Sequence, residues 1–232
     1  MSQIVDLTLK FRNNMPVQDE FPRPVYVSAM TSADSGSLGL GTSDDPFIPA
    51  WKYLAMVEHT GTHVDAFSHM KPGAASIDEM PLEMFYGRAI CFDMTHIPDK
   101  GEIQVSDLEE AQERTGVTVD GHIVLLNTGV HSRHYPTRAI FDVNPGISAE
   151  ATHWLADHGS RLHGVEGPST DVMSTGLFPS HRVCRDRNIS HYEWLVNLEH
   201  LVGKGEFTFY GVPLNLDGGT GSPVRAFAVV DE

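Results

Sequence analysis

Short runs of apolar and β-branched residues, separated by polar and turn-forming positions, predict a chain rich in β-strands. The runs that fit this pattern are residues 4–9, 88–94, 122–127, 162–165, 206–212 and 224–230. Helical patterns lie between them. This alternation predicts a mixed fold, and the pattern alone leaves α/β and α+β topologies open.

Two helices are marked by their ends. The segment Ser106-Asp107-Leu108-Glu109 fits a capping box and predicts a helix to about Arg114, with Gly116 just beyond it. A second helix is predicted over residues 148–158, with Ser148 as N-cap and Gly159 as stop signal. Its apolar positions place Trp154 in the core.

The weakest pattern lies between Ser28 and Phe47, a stretch of small residues with several glycines and aspartates. It predicts a long loop, which is either a disordered excursion or a lid. No other stretch resembles a linker, and no repeat period is evident. A single domain over residues 1–232 is therefore expected.

The composition of the chain limits the classes of molecule that it is expected to bind. The formal net charge of −15 disfavours nucleic acid and anionic membranes, because phosphate binding draws on clusters of Lys and Arg. No apolar run reaches the roughly 20 residues of a membrane-spanning helix, and the N-terminus lacks a signal-peptide pattern, so a cytoplasmic location is expected. Of the two cysteines, Cys91 is predicted to lie in the core, and Cys184 is taken as incidental to the chemistry.

The strongest chemical signal is the segment His59-Thr60-Gly61-Thr62-His63-Val64-Asp65-Ala66-Phe67-Ser68-His69. Imidazoles and a carboxylate are typical ligands of a catalytic zinc, which keeps one position for water. His63 and Asp65 share a face if the chain is extended. Glycine and β-branched residues disfavour a helix here, so a strand-to-turn segment beside a sheet is predicted to bring His59, His63 and Asp65 together.

Histidine pairs also arise by chance or as hydrogen-bonded core residues. Gly61, Asp65 and His69 in the same short window favour a metal centre over that interpretation. A structural metal site in a binding protein is a second alternative, but such sites are usually closed and rich in cysteine. The absence of cysteine from this segment favours an open centre that carries water.

The segment resembles the signature His-x-Gly-Thr-His-x-Asp-x-Pro-x-His of the cyclase family, which contains bacterial kynurenine formamidase and isatin hydrolase. The chain departs from it only where Phe67 replaces the proline. Segments 5–8, 164–171 and 213–226 also resemble family elements, so the likeness covers most of the chain. It implies an α/β fold, a swivelling β/β/α domain with mixed sheets around a barrel-like core.

The resemblance also implies further site residues and an assembly. His181 and Glu193 match family positions and imply a second metal position. Asp65 could then bridge an ion held by His59 and His63 and an ion held by His181 and Glu193. One or two ions of zinc or manganese are expected, and the ligand set does not separate the two metals. A homo-oligomer, dimer or tetramer, is expected from the family.

The expected activity follows from these ligands. A bound divalent metal generates hydroxide near neutral pH and polarises a carbonyl, and His69, outside the presumed ligands, is predicted to act as general acid and base. The resemblance implies hydrolysis of an aryl formamide such as N-formylkynurenine. Ring opening of a cyclic amide such as isatin, or of a lactone, is the alternative.

An aromatic small-molecule substrate would stack on nearby rings. Proximity in sequence selects Phe67, Trp51, Tyr53 and Trp194 as candidates, although large aromatic residues more often serve the core.

Overall fold

The computed structural model describes residues 2–42, 44–45 and 47–231. The chain forms two compact units, one from Met1–Lys10 with Glu58–Glu232 and the other from Phe11–Val57. That residues 1–232 form a single domain stays a prediction. None of the helices in the described ranges is long and apolar enough to cross a bilayer.

The described strands alternate with short helices along the chain. In chain order they are β1 (Gln3–Asp6), β2 (Val25–Met30), β3 (Trp51–Ala55), β4 (His63–Asp65), β5 (Tyr86–Asp93), β6 (Glu102–Ile103), β7 (Ile123–Asn127), β8 (Gly146–Ile147), β9 (Leu162–Val165), β10 (Ser190–Glu193), β11 (Phe207–Tyr210), β12 (Gly221–Pro223) and β13 (Phe227–Val230). The helices are α1 (Ser32–Ser35), α2 (Phe67–Met70), α3 (Val105–Thr115), α4 (Val130–His134), α5 (Ala139–Val143), α6 (Ala149–Asp157) and α7 (Pro179–Arg187).

The larger unit is built on a nine-stranded mixed sheet in the order β1-β13-β11-β5-β7-β9-β10-β4-β12. Its centre, β5-β7-β9-β10, is parallel, and the strands on both sides pair antiparallel. The sheet curls into a half-barrel, which confirms the α/β class and the barrel-like core. Polar residues at the carboxyl ends of the parallel strands therefore lie along one edge.

Both faces of the central strands are covered, as the continuous apolar runs require. On β5, Ala89 and Cys91 contribute to a first core on one face of the sheet, and Ile90 and Phe92 contribute to a second core on the other face. The core assignment of Cys91 is thus confirmed. All six predicted strand runs contain a strand, and the run at 162–165 has the predicted bounds.

Helix α6 confirms its predicted ends. The Ser148 hydroxyl accepts a hydrogen bond from the amide of Ala151 at 3.1 Å, and Gly159 follows with a positive φ of 79°. Trp154 packs against the second core, as predicted.

Helix α3 begins earlier than predicted. Its N-cap is Gln104, whose side chain accepts from the amide of Asp107, while the Asp107 carboxylate accepts from the amide of Gln104 at 2.7 Å. This reciprocal pair places Ser106 inside the helix, so the capping box at Ser106 was a wrong prediction. The left-handed Gly116 ends the helix as expected.

The smaller unit consists of the β2-β3 hairpin, helix α1 and irregular chain. Residues 28–30 belong to β2, and α1 is nucleated by Thr31 and Asp34, which cap each other's amides. The prediction of one long loop over 28–47 was therefore wrong for its first half. Positions 43 and 46 of that stretch lie outside the described residues, and its role as a lid stays a prediction.

One buried carboxylate lies at the carboxyl end of β9. The side chain of Glu166 accepts hydrogen bonds from the amide of Gly129 and from the hydroxyl of Thr128, and the residue is only 2% exposed. Burial raises its pKa from 4.5 to about 7. Glu166 therefore keeps its proton in the folded protein at pH values where an unfolded glutamate has lost it.

This shift predicts that Glu166 makes stability fall with rising pH. Between about pH 5 and 7 unfolding releases the proton that the folded protein retains, so the free energy of unfolding decreases. Glu166→Gln keeps an acceptor without titrating, and relative to wild type it should gain about 3 kcal/mol from pH 4.5 to 8. Urea unfolding of both proteins at each pH measures this, and parallel pH profiles would contradict it.

Candidate metal centre

The centre is built on β4, which is extended as predicted. Val64 points into the core, and His63 and Asp65 point to the opposite face. The turn before the strand places Gly61 at a φ of 69°, a conformation that favours glycine. The Thr62 hydroxyl anchors this turn by accepting from the amide of Leu9 at 2.7 Å and donating to the carbonyl of Trp194 at 2.5 Å.

Asp65 is the hub of the centre, and its side chain is almost fully buried. Five histidines surround its two carboxylate oxygens. The nearest nitrogen of each ring lies at the following distance from Asp65: His59 2.8 Å, His191 3.2 Å, His63 3.3 Å, His69 3.6 Å and His181 3.8 Å.

Glu193 supplies the second carboxylate. It ends β10 directly opposite His63 of β4 and turns its oxygens toward the same histidines. Glu193 Oε2 lies 3.5 Å from His63 Nε2, and Oε1 lies 3.4 Å from His191 Nε2 and 3.8 Å from His181 Nε2. The structure thus brings together His59, His63, Asp65, His69, His181 and Glu193, although they come from distant parts of the chain.

Outer hydrogen bonds set the orientation of two rings. His63 Nδ1 donates to the carbonyl of Gly61 at 2.7 Å, which leaves the Nε2 lone pair directed at the carboxylates. His181 Nδ1 contacts Asp171 at 2.5 Å, and the same carboxylate accepts from the first amides of α7. A partner on the remote nitrogen is the usual arrangement for a histidine that ligates a metal.

His59 is held between two acceptors. The Thr220 hydroxyl donates to Glu58 and therefore accepts from His59 Nε2 at 3.0 Å, while Nδ1 faces Asp65. Burial opposes a charge on this ring, but the hydrogen bond to Asp65 and the negative charges of Asp65, Glu193 and Glu58 together outweigh it and raise the pKa of His59. Nδ1 and the Asp65 carboxylate therefore face each other with lone pairs, and a proton or a metal ion between them is needed to satisfy both.

His69 differs from the other histidines of the centre. It lies on α2, its side chain is 38% exposed, and its ring centroid is 4.3 Å from that of His59. Burial of the ring lowers the pKa of His69 below its ordinary value, so the ring is neutral near pH 7. A neutral, accessible imidazole can accept a proton and return it.

Burial alone would keep Asp65 protonated. The charge of His191 and the hydrogen bonds of neighbouring imidazoles outweigh burial, and they hold the pKa of Asp65 well below its ordinary value. The carboxylate is thus ionised and ready to ligate a cation.

The donor set fits a divalent metal. The potential ligands form two groups that share Asp65, one with His59 and His69 and the other with His181, His191 and Glu193. Among the described residues, the buried Nε2 atoms of His63 and His191 have no hydrogen-bond partner of good geometry. Imidazole and carboxylate together suit zinc or manganese.

Two neighbours of the centre were missed by sequence reasoning. His191 lies on β10 two residues before Glu193, so the same period of two that joined His63 to Asp65 could have found it. Asp171 carries no such signal, because its role depends on the approach of a loop to the start of α7.

The aromatic residues that were predicted to contact substrate pack elsewhere in the structure. Phe67 packs against the first core, and Trp194 is buried with its ring edge-on to Tyr135 and Phe141. Trp51 and Tyr53 lie in the smaller unit. A substrate contact by any of these residues stays a prediction.

Sequence comparison with known proteins agrees with the family resemblance of the His59–His69 segment. The sequence model of the family described as "Putative cyclase" matches residues 5–172. A kynurenine formamidase of Salinibacter ruber is 28% identical over 200 residues, which are 86% of this chain and 84% of that protein. A kynurenine formamidase of Bacillus mycoides is 27% identical over 228 residues, 97% of this chain and 96% of that protein.

Solved structures show the same fold. Isatin hydrolase A from Ralstonia solanacearum has a TM-score of 0.84 and 26% identity, covering 99% of this chain and 92% of that one. An isatin hydrolase bound to the product analogue thioisatinate has a TM-score of 0.85, with 23% identity, 100% of this chain and 93% of that one.

The geometry predicts that His63→Ala releases metal, because His63 offers a free Nε2 between both carboxylates. Metal analysis after gel filtration should show fewer bound equivalents than in wild type. His200→Ala, at a histidine with a 64% exposed side chain, should keep the wild-type content. Equal metal content in both variants would contradict the assignment of His63.

Proposed function

The chain belongs to the cyclase family, and on that premise we propose that it is a metal-dependent hydrolase that cleaves an amide C–N bond outside peptides. The substrate is an aryl formamide such as N-formylkynurenine, as in the formamidase relatives. The observation that carries the proposal is the buried Asp65 carboxylate with five histidine rings and Glu193 around it.

The ligands divide into two positions that share Asp65. His59, His63 and Asp65 would hold one ion, and Asp65, His181 and Glu193 would hold or adjoin the other. One or two ions of zinc or manganese fit this set. When bound, such a metal lowers the pKa of water and polarises the substrate carbonyl.

His69 carries the proton. Its Nε2 faces Asp65 at 3.6 Å and its ring reaches solvent, so it adjoins both the centre and an arriving substrate. As water adds to the formyl carbon, the neutral ring takes the proton that the water loses. It then delivers this proton to the departing nitrogen as the C–N bond breaks, and the products are formate and a free arylamine.

The proposal extends to the setting of the enzyme. The substrate is a small aromatic molecule, for which Phe67, Trp51 and Trp194 remain candidate contacts. We propose a homo-oligomer, a dimer or tetramer, from the family resemblance, and a cytoplasmic location.

Ring opening of a cyclic amide or lactone is the second candidate. The likeness in fold and sequence to isatin hydrolase A favours it, as does Phe67 in place of the signature proline. The same centre would serve, because hydroxide attacks any activated carbonyl. A purely structural metal site is less favoured, since the groups around Asp65 contain no cysteine and His69 is open to solvent.

We expect purified protein loaded with zinc or manganese to release kynurenine from N-formyl-L-kynurenine, and a chelator to abolish the release. Absorbance of the free arylamine follows the reaction. Isatin is assayed in parallel under the same conditions. Opening of isatin without kynurenine release would reject the formamide and support the second candidate.

His69→Ala should lower kcat by about 10²–10⁴-fold, the usual contribution of a general acid-base residue. Metal content should stay at the wild-type level, because His59, His63, Asp65, His181 and Glu193 remain. Steady-state kinetics together with metal analysis separate the two effects. Wild-type turnover in this variant would refute the role of His69, and loss of metal would reassign it as a ligand.

A further inference from the structure

His191 is a histidine of the centre for which the proposed function has no use. It lies in the middle of β10 with 0% exposure, between Ser190 and the core residue Tyr192. Its side chain shares a face with Glu193 and meets the carboxylates of Asp65 and Glu193. A polar ring at such a place needs a partner, because burying an unsatisfied polar group costs about 1–3 kcal/mol.

Hydrogen bonding within the protein does not supply that partner. Both ring nitrogens of His191 are buried, and neither has a hydrogen-bond partner of good geometry among the described residues. His163, the next buried histidine, differs in this respect, since its Nε2 is bonded to the hydroxyl of Thr170 at 2.8 Å. His191 is therefore oriented toward the carboxylates, which its Nε2 meets at ion-pair distances of 3.2 and 3.4 Å but without a hydrogen bond of good geometry.

The spacing of the atoms matches a four-coordinate ion. Adjacent ligand atoms of a tetrahedral zinc with bonds of about 2.1 Å lie about 3.4 Å apart. His191 Nε2 is 3.2 Å from Asp65 and 3.4 Å from Glu193. His181 Nε2 is 3.8 Å from each of the same two carboxylates, and the four residues offer ligand atoms that all lie within 4.8 Å of one another.

We propose that His191 is a fourth protein ligand of the second metal position, which it closes together with Asp65, His181 and Glu193. This inference rests on the proposed metal dependence and adds an asymmetry to it. With four protein ligands this position would hold its ion tightly and leave no place for water. The position of His59 and His63, beside the accessible His69, would then be the one that stays open.

A deeper group of ligand types, His163, Cys184 and His191, is a competing place for an ion. One observation disfavours it, because His163 already uses its Nε2 on the hydroxyl of Thr170. The rings of His163 and His191 instead stack on each other, with centroids 5.4 Å apart.

The test is metal affinity. Wild type and His191→Phe are loaded with zinc, titrated with a competing chelator, and analysed for bound metal. Wild type should retain one equivalent much more tightly than the rest. His191→Phe keeps a ring of similar size and should lose this equivalent, with affinity falling more than the roughly 10–100-fold that loss of an outer-shell partner costs. His191→Gln provides a second variant in case the first does not fold.

Cobalt substitution gives an independent readout. Four-coordinate cobalt(II) absorbs visible light much more strongly than five- or six-coordinate cobalt(II), so the tight equivalent should give an intense spectrum in wild type and lose it in the His191 variants. His163→Phe is the matched control, and it should keep both the affinity and the spectrum.

The outcomes are distinct. Retention of the tight ion and its spectrum by the His191 variants, or a decrease of 100-fold or less, would overturn the assignment. An equal loss in His163→Phe would also overturn it, since the cause would then be a general disturbance of the pocket. Failure of wild type to bind any metal would overturn the proposed function itself.

Discussion

The burial of one negative charge organises this protein. An isolated carboxylate removed from water is among the most costly groups in a folded chain, unless opposite charge or a metal compensates it. Asp65 is buried on β4, the next-to-last strand of the nine-stranded sheet, and five surrounding segments each contribute an imidazole. The turn before β4 provides His59, β4 itself His63, α2 His69, α7 His181 and β10 His191.

The same requirement explains why the supporting contacts are so specific. A partner on the remote nitrogen fixes the orientation of a ring that ligates a metal, and the carbonyl of Gly61 and the carboxylate of Asp171 are such partners for His63 and His181. Asp171 also accepts from the amides at the start of α7. The helix is therefore positioned by the same group that orients its histidine, so folding and ligand orientation depend on one side chain.

Local sequence was informative where a single local interaction determines the structure. The strand at 162–165 and the ends of α6 depend on residue alternation and on a serine cap, both visible in the sequence. The cluster from His59 to His69 was visible because its members are neighbours in the chain. His181 and Glu193 were identified only through family resemblance, since nothing in their own surroundings distinguishes them from a surface histidine and a solvated glutamate.

What the sequence did not reveal depends on contacts between distant segments or on competing local ones. Ser106 and Gln104 are both plausible caps, and the choice depends on which side chain reaches the amide of Asp107. His191 was overlooked because the apolar character of Tyr192, Trp194 and Leu195 directs attention to the core. Pairing of β10 with β4 then places His191 and Glu193 against Asp65, and that pairing joins residues more than 120 positions apart in the chain.

The alternation along β4 and β10 has a consequence for how this family can change. Val64 and Tyr192 belong to the core, while their neighbours His63, Asp65, His191 and Glu193 belong to the metal centre on the other face. Inserting or deleting one residue in either strand would exchange its two faces. Its apolar side chains would then point to the metal centre, and its ligand side chains would point into the core. Substitution at a single position of either strand preserves this division between the two faces, whereas a change in strand length does not.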